Sequence, residues 1–433
     1  MSRPTNDRLR FHDFIRMDAF LIGYAALCSL IFAQAALMFV NAWEQGRFHS
    51  GRRAAPLGRD YTPSVRLVIP CKGLDLELHA NLQALFELDY PQLELCFVVE
   101  TADEPATEVI RSLQENYPLA SCHIVCAGRA ELSGQKVHNL IAATRTIPAE
   151  IEVLAFVDSD ARPHREWLLR LVQRLENGKR AIATGYRWLR PARATWTNEL
   201  LSAINNIIVG QFGPHGFVQA WGGAWAIKVD TFRRLGLPTK WEGTLSDDLV
   251  VSRLALESNL KIGYEPHCLV NSSIDVSPAS LAEFLRRQYL VVRVYSPRWW
   301  WSGLAIGTIL NGAFWGSLVL AVAWSVSGQA WWLPAGAVVL QYLLAAGRNA
   351  LSVQVFEPFT RVPKPEFHRV SRWNVWGWPL VGLINWLGLL ASLAGRSIVW
   401  RGIHYKLVSS RCTEVSFPGG KPTSTRHTQA QAA

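Results

Sequence analysis

Charge is scarce in this chain. Only 18% of the residues are Asp, Glu, Lys or Arg, against 49% hydrophobic, so membrane segments are the first thing to look for. No CxxC pair occurs among the seven cysteines at 28, 71, 96, 122, 126, 268 and 412. An odd count without a framework fits a reducing compartment; Cys122 and Cys126 sit in an apolar run and read as buried strand. No Lys/Arg run interleaves with aromatics, although the formal net charge is +10, so nucleic acid is not an expected partner. A basic balance in a membrane protein instead fits anionic lipid on the cytoplasmic side. No GxGxxG follows the first strand-like run, which argues against a dinucleotide-binding domain.

What is present is periodic. Strand-like runs begin near Val65, Leu93, Cys122 and Ile151, spaced 28, 29 and 29 residues apart, about one βαβ unit each. Helical patterns such as Leu78, Leu82, Leu85 and Phe86 fill the gaps. The expected fold is an α/β domain over residues 65–279 with a mostly parallel sheet buried on both faces. Later runs at 181–186 and 221–227 are further strand candidates, the second rich in Gly and Trp; Trp221 and Trp225 suit core packing and a groove wall equally well. His215, in Gly213-Pro214-His215-Gly216, reads as a loop residue.

Around this domain the sequence turns apolar. Residues 1–17 form a polar tail, and 18–43 read as a transmembrane anchor; the apolar run continues past Ala33-Gln34-Ala35, which favours an anchor over a cleaved signal. Residues 44–64 read as a basic linker. Residues 280–298 read as an amphipathic interfacial helix, with a surface helix facing a protein core as the alternative. Within 299–400, α-helical membrane segments are expected at about 299–325, 330–346 and 374–399, the middle one short enough to be re-entrant. Tryptophans cluster at their ends like an aromatic belt, and Arg348, Arg361, Lys364, Arg369 and Arg372 mark the intervening loop as cytoplasmic. Residues 401–433 read as a tail, disordered after about 411.

The chemistry starts where one apolar strand stops. Val153-Leu154-Ala155-Phe156-Val157 runs into Asp158-Ser159-Asp160, two carboxylates at the carboxyl end of a strand, where open α/β sheets bind ligands. Such oxygens suit a hard divalent cation and a nucleoside diphosphate, although a capped loop would use the same tripeptide. Ser246 is a plausible N-cap before Asp247 and Asp248. Asp248, or its neighbour Asp247, suits a general base for an acceptor hydroxyl. Lys136, Arg287 and Arg293 suit a departing diphosphate.

Pro70-Cys71-Lys72-Gly73-Leu74-Asp75, Phe86-Glu87-Leu88-Asp89-Tyr90-Pro91, Asp103-Glu104-Pro105-Ala106, Gln135-Lys136-Val137-His138-Asn139-Leu140, Asp158-Ser159-Asp160, Ser246-Asp247-Asp248 and Trp400-Arg401-Gly402 with Tyr405-Lys406-Leu407 together resemble the ceramide glucosyltransferases and their bacterial relatives. The resemblance implies an inverting glycosyltransferase with a GT-A fold. It implies that Asp103 contacts the nucleotide, Lys136 serves the donor, Asp158 and Asp160 form the DxD metal site for Mg or Mn, and Asp248 is the base. The family's Gln/Arg-x-x-Arg-Trp motif has no Arg-Trp here; Arg287 or Gln288 keeps its first position, with Arg293 and Tyr295 as replacements. The expectation is a multi-pass protein of the inner membrane, its catalytic domain cytoplasmic, moving one hexose from a UDP-sugar to a membrane lipid in glycolipid biosynthesis, with a sphingolipid-like acceptor one possibility. A processive polysaccharide synthase and an inactive lipid-binding relative are the alternatives.

Overall fold

The structure is a computed structural model that describes residues 5–213 and 219–418; His215 and the tail beyond 418 lie outside the described residues. The chain opens with a long helix, α1 (Thr5–Ala54). It runs on through residues 44–54, where the sequence suggested a linker, and so delivers an unbroken rod to the edge of the α/β domain.

Eight strands form one sheet: β1 (Val65–Pro70), β2 (Leu93–Val99), β3 (Ser121–Cys126), β4 (Val153–Val157), β5 (Ala161–Arg162), β6 (Ile182–Pro191), β7 (Ala224–Lys228) and β8 (Ile262–Ile274), in the order β3-β2-β1-β4-β7-β6-β8-β5. The regular spacing holds for β1 to β4, which pair in parallel. Beyond β4 the sheet is mixed: β7 inserts antiparallel to both β4 and β6 and β5 runs antiparallel to β8, while β6 and β8 are parallel, so four of the seven pairings are parallel. Crossover helices α2 (Leu78–Phe86), α3 (Pro105–Asn116) and α4 (Gln135–Thr144) cover the parallel half. Helices α5 (Trp167–Gln173), α6 (Trp196–Val209), α7 (Val229–Arg234), α8 (Leu237–Trp241) and α9 (Asp247–Glu257) cover the rest.

Residues of β1 and β4 are buried on both faces, as crossover connections require. Strand β3 is the exception. It lies at the sheet edge, so Cys122 is only half-buried and Cys126 is exposed, which corrects the expectation of a buried strand. Trp225 is core, stacked on Phe156 with ring centroids 4.2 Å apart.

After the sheet come α10 (Pro278–Tyr295), α11 (Pro297–Ser327), α12 (Trp332–Thr360), α13 (Lys364–Val375) and α14 (Trp378–Ala391). The apolar stripe of α10 meets protein: Leu281, Leu285, Leu290 and Tyr295 are buried, and the Tyr295 hydroxyl accepts from the Leu245 N–H at 2.7 Å. Helix α12 does not stop at 346. It carries Arg348 within it and returns to the sheet domain, where Phe356 and Phe359 share a cluster with Trp188 and Tyr264. The last apolar segment is helical for only 14 residues, roughly 21 Å at 1.5 Å per residue and short of a bilayer core. The polypeptide then forms a three-stranded antiparallel sheet, β9 (Ser397–Trp400), β10 (Ile403–Ser409) and β11 (Cys412–Ser416). Residues 412–416, expected in a disordered tail, are therefore an ordered strand, held because Tyr405, Leu407 and Val415 join the main core. Among the described residues two helices are long and apolar enough to cross a membrane, Leu21–Ala54 and Pro297–Ser327.

Candidate active site

Antiparallel β7 is what assembles the site. Ala224 pairs with Val157, so the segment just before β7, Trp221-Gly222-Gly223, lies against the carboxyl end of β4 and the Asp158 that follows it. On the other side, Ser246 caps α9: its Oγ accepts from the Leu249 N–H at 3.3 Å. The Gly222 N–H then donates to Asp248 Oδ2 at 2.9 Å, which ties the start of α9 to the start of β7. Both glycines are required by close approach. A Cβ on Gly222 would lie 2.7 Å from Lys136 Nζ, and one on Gly223 would lie 2.8 Å from Asp158 Oδ2.

Lys136, in the first turn of α4, fills the gap between the two acidic segments. Its Nζ is 2.8 Å from Asp158 Oδ1, 3.3 Å from Asp247 Oδ1 and 3.2 Å from the Gly222 carbonyl. All three donors of the ammonium are thus committed. Burial would lower its pKa, but the carboxylates of Asp158, Asp247 and Asp248 outweigh burial and raise it. The structure therefore gives Lys136 a place as a tie between carboxylates and not as a free cation awaiting a diphosphate.

The carboxylates differ sharply from one another. Asp248 is gripped by three donors: Ser246 Oγ at 2.6 Å and Leu249 N at 2.7 Å on Oδ1, Gly222 N on Oδ2. Asp247, with a side chain 5% exposed, leaves Oδ2 without a partner, and burial pushes its pKa up to about 7. Asp160 also has a buried oxygen, Oδ1, without a partner; burial first, then the charges of Asp158 and Asp75, raise it to about 6. Asp75 joins this group through Ser159, whose Oγ donates to its Oδ2 at 2.6 Å. Among the described residues no cluster of three or more His, Cys, Asp or Glu side chains is arranged to hold a metal by itself. Two carboxylates one residue apart, one with an orphaned buried oxygen, do fit a divalent cation that takes its remaining ligands from phosphates and water.

Opposite the acids stands a wall of arginines and aromatic rings. The Arg187 guanidinium of β6 lies 5.6 Å from the Trp221 ring and 5.5 Å from Phe284; that of Arg287 lies 5.4 Å from Phe284 and 5.5 Å from Trp400. Rings and guanidiniums thus alternate, with Trp400 supplied by the C-terminal sheet. Neither arginine has a carboxylate partner among the described residues, and Arg187 Nε is buried without an acceptor. Burial lowers Arg287 to about 10, with Arg187 and Arg401 adding repulsion. Arg401, held at φ 49°, reaches from the turn after Trp400 to Asp75 Oδ1 at 2.5 Å and to the Lys72 carbonyl. Tyr405 anchors the same sheet, its hydroxyl accepting from the Gln135 N–H at 3.2 Å.

A cavity of about 970 Å³ joins these walls. Lys136, Asp158, Asp247, Asp248, Arg187, Arg287 and Gln288 line one end, while side chains of α1, α11, α12 and α14 line the other. Two expected site residues stand apart. Arg293 does not line the cavity: its guanidinium donates to the carbonyls of Leu393 at 2.6 Å and Gly395 at 2.5 Å, closing the end of α14, because its position on α10 turns it away from the pocket. Asp103 is exposed on the loop after β2 and outside the cavity lining; its neighbour Glu104 makes the contact there, accepting from the Gly73 N–H at 2.5 Å. Sequence reasoning missed Arg187. Its one signal is an arginine inside the otherwise apolar run from Ile182 to Leu189.

A mixed sheet that presents a carboxylate pair at the carboxyl end of β4, with a second acidic pair capping a helix beside it, has the arrangement expected of a GT-A-type fold. The model of glycosyl transferase family 21 matches residues 24–412, and the chain belongs to that family. Curated relatives are similar over shorter stretches. Ceramide glucosyltransferase 3 of Caenorhabditis elegans is 29% identical over 84 residues, 19% of this chain and 18% of that protein. Ceramide glucosyltransferase 1 of the same organism is 32% identical over 83 residues, again 19% and 18%; a ceramide glucosyltransferase of Komagataella phaffii is 34% identical over 61 residues, 14% and 12%. The matched stretches thus span less than a fifth of each relative. Among solved structures, mannosyltransferase PcManGT from Pyrobaculum calidifontis, in complex with GDP-Man and Mn2+, is similar at 16% identity with a TM-score of 0.44, over 85% of this chain and 99% of that one.

Proposed function

We propose that this protein transfers a single hexose from a UDP-sugar to the hydroxyl of a membrane lipid, with inversion at the anomeric carbon. The observation that carries the reading is the shared cavity, with Asp158, Asp247 and Asp248 at one end and membrane-side helices at the other. A water-soluble donor and a lipid acceptor need such a shared room.

In this reading Asp248 accepts the proton of the lipid hydroxyl. Its three hydrogen bonds fix the carboxylate in one orientation, which a base acting on a positioned hydroxyl needs. Asp247 and Lys136 position it by locking the start of α9 to β4. Asp158 and Asp160 would hold a divalent cation, Mg or Mn, whose charge, when bound, offsets that of the diphosphate. Arg187 and Arg287 face the same diphosphate as it departs; their planar donors suit phosphate oxygens. Gln288 lines the cavity beside them, and Asp103 meets the nucleotide only as an exposed loop residue.

The same reading places the catalytic domain and the C-terminal sheet on one side of the membrane, since Arg401 and Tyr405 contact Asp75 and Gln135. An even number of crossings between them follows: α11 is long and apolar enough for one, and α12, which returns the chain to the sheet domain, would make the other. The basic residues Arg361, Lys364, Arg369 and Arg372 next to them favour the cytoplasmic face of the inner membrane. The deciding experiment is full-length protein with a panel of nucleotide sugars and total lipid, products read by mass spectrometry. One hexose added to a lipid supports the reading; a polymer, or no transfer by wild type, ends it.

A further inference from the structure

The cavity has a second charged pole, far from the carboxylates in the chain and made by helices on the membrane side. Arg348 of α12 lines it. Eight residues, roughly 12 Å of helical rise, separate Arg348 from Phe356, which is packed into the sheet domain, and the same cavity is lined by Met38 and Asn41 of α1 and Ile306 and Leu310 of α11, helices apolar enough to cross a membrane. Its guanidinium donates to Asn349 Oδ1, its Nε is buried with no acceptor, and no ion pair among the described residues includes it. Glu44 of α1 lines the same cavity but is exposed and makes no ion pair with it.

An amide chain supports the arginine. Asn349 Nδ2 donates to the Asn374 carbonyl at 2.7 Å, and Asn374 Oδ1 accepts from Asn206 Nδ2 at 3.0 Å. Asn206, 7% exposed, and Gln45 of α1, 6% exposed, each leave a buried side-chain oxygen unpartnered against the cavity. A cation among such helices that served only packing would find a carboxylate or turn outward to solvent. This one lines the cavity, backed by polar groups with capacity to spare.

We propose that this pole binds the phosphate of a membrane lipid, so that the acceptor held toward Asp248 is an anionic, phosphate-bearing lipid and not a neutral one. Arg348 supplies the charge and planar donors for the phosphate, and the amides take the neighbouring polar groups of the lipid. The acceptor role rests on the sugar-transfer reading above; the binding of lipid phosphate does not.

Full-length protein, stripped of lipid in detergent, is reloaded with phosphatidylglycerol or diacylglycerol, and retained lipid is read by native mass spectrometry. Wild type retains phosphatidylglycerol at least about tenfold over diacylglycerol, and Arg348→Gln lowers that retention about tenfold while Arg348→Lys lowers it less. UDP-sugar binding stays within about twofold in all three, which marks them as folded. Should Arg348→Gln fail to fold, Asn206→Asp places a repelling charge beside the pole and is expected to give about a fivefold loss. Equal retention of the two lipids by wild type, or unchanged retention in the variants, overturns the proposal. Displacement of phosphatidylglycerol by millimolar inorganic phosphate would assign the pole to a soluble anion and overturn it too. Selective retention without sugar transfer to any lipid would count against the proposed reaction alone.

Discussion

The two walls of the cavity are built on opposite plans. On the acidic wall most of the charge is answered: Lys136 joins Asp158 to Asp247 and Asp248 receives three donors, while Asp160 Oδ1 and Asp247 Oδ2 stay unpartnered. On the facing wall Arg187 and Arg287 have rings beside them and, among the described residues, no ion pair, although the Arg187 charge is felt at Asp160. A charge with its partners in place holds geometry, and removing a partner damages the fold. A charge left with only aromatic faces keeps its hydrogen-bonding capacity for something that arrives later. The acidic wall is therefore structural and catalytic at once, whereas the arginine wall should be nearly silent until a ligand is present.

The largest effect tests the acidic wall where it touches chemistry. Asp248→Asn keeps the shape and most of the hydrogen bonds but cannot accept the acceptor's proton, so kcat should fall by about 10³-fold or more with donor affinity within about threefold. Rates near wild type in a UDP-release assay would remove Asp248 from the role of base. Next comes Lys136→Met, which leaves two carboxylates facing each other in a buried place. A loss of about 3 kcal/mol of stability is expected, visible as a lowered Tm in detergent; an unchanged Tm would show that the tie is decorative. The pH dependence follows from Asp247. Its folded pKa of about 7 lies above the unfolded value near 3.8, so the native state holds an extra proton between those limits. That stabilisation is complete below about pH 4 and is lost as pH rises through 7. Wild type should therefore lose on the order of 2 kcal/mol more than Asp247→Asn between pH 5 and 8. Parallel Tm profiles would refute the assignment.

These walls were unequally legible in the sequence. The β1 to β4 half could be read because each parallel strand is buried on both faces and each crossover has nearly the same length, so a period near 29 survives in the chain. The carboxylates could be read because strand and helix ends announce themselves locally: Val157 to Asp158, Ser246 to Asp247. Of the arginine wall only Arg287 could be read; Arg187 could not, since Arg187, Phe284, Arg287 and Trp400 meet only after β6, α10 and a sheet beyond the last helix have packed. Arg293 looked equivalent to Arg287 by composition, yet six residues of helix turn it to another face. Helix α12 was cut short because Arg348 interrupts its apolar run, and the residue that broke the pattern is one that faces the cavity.

On the arginine wall, Arg187→Gln should weaken UDP-sugar binding by about tenfold, the loss of one charge-assisted contact to phosphate, while Tm moves by less than about 1 °C. A large fall in Tm with unchanged affinity would place Arg187 with the structural charges and erase the contrast between the walls.

The smallest effect isolates the rings from the charges. Trp400 lines the cavity with its ring 5.5 Å from the Arg287 guanidinium, and comes from a sheet that Arg401 and Tyr405 hold in place independently. Trp400→Leu should keep that sheet docked and remove only the face that restrains Arg287. A contact of this kind is worth about 0.5–1 kcal/mol, so donor affinity should fall about two- to fivefold. The double variant with Arg287→Gln should then be no worse than Arg287→Gln alone, because the ring acts through that guanidinium. Additive losses in the cycle would mean that Trp400 meets the donor directly, making the C-terminal sheet part of the binding surface and not its support.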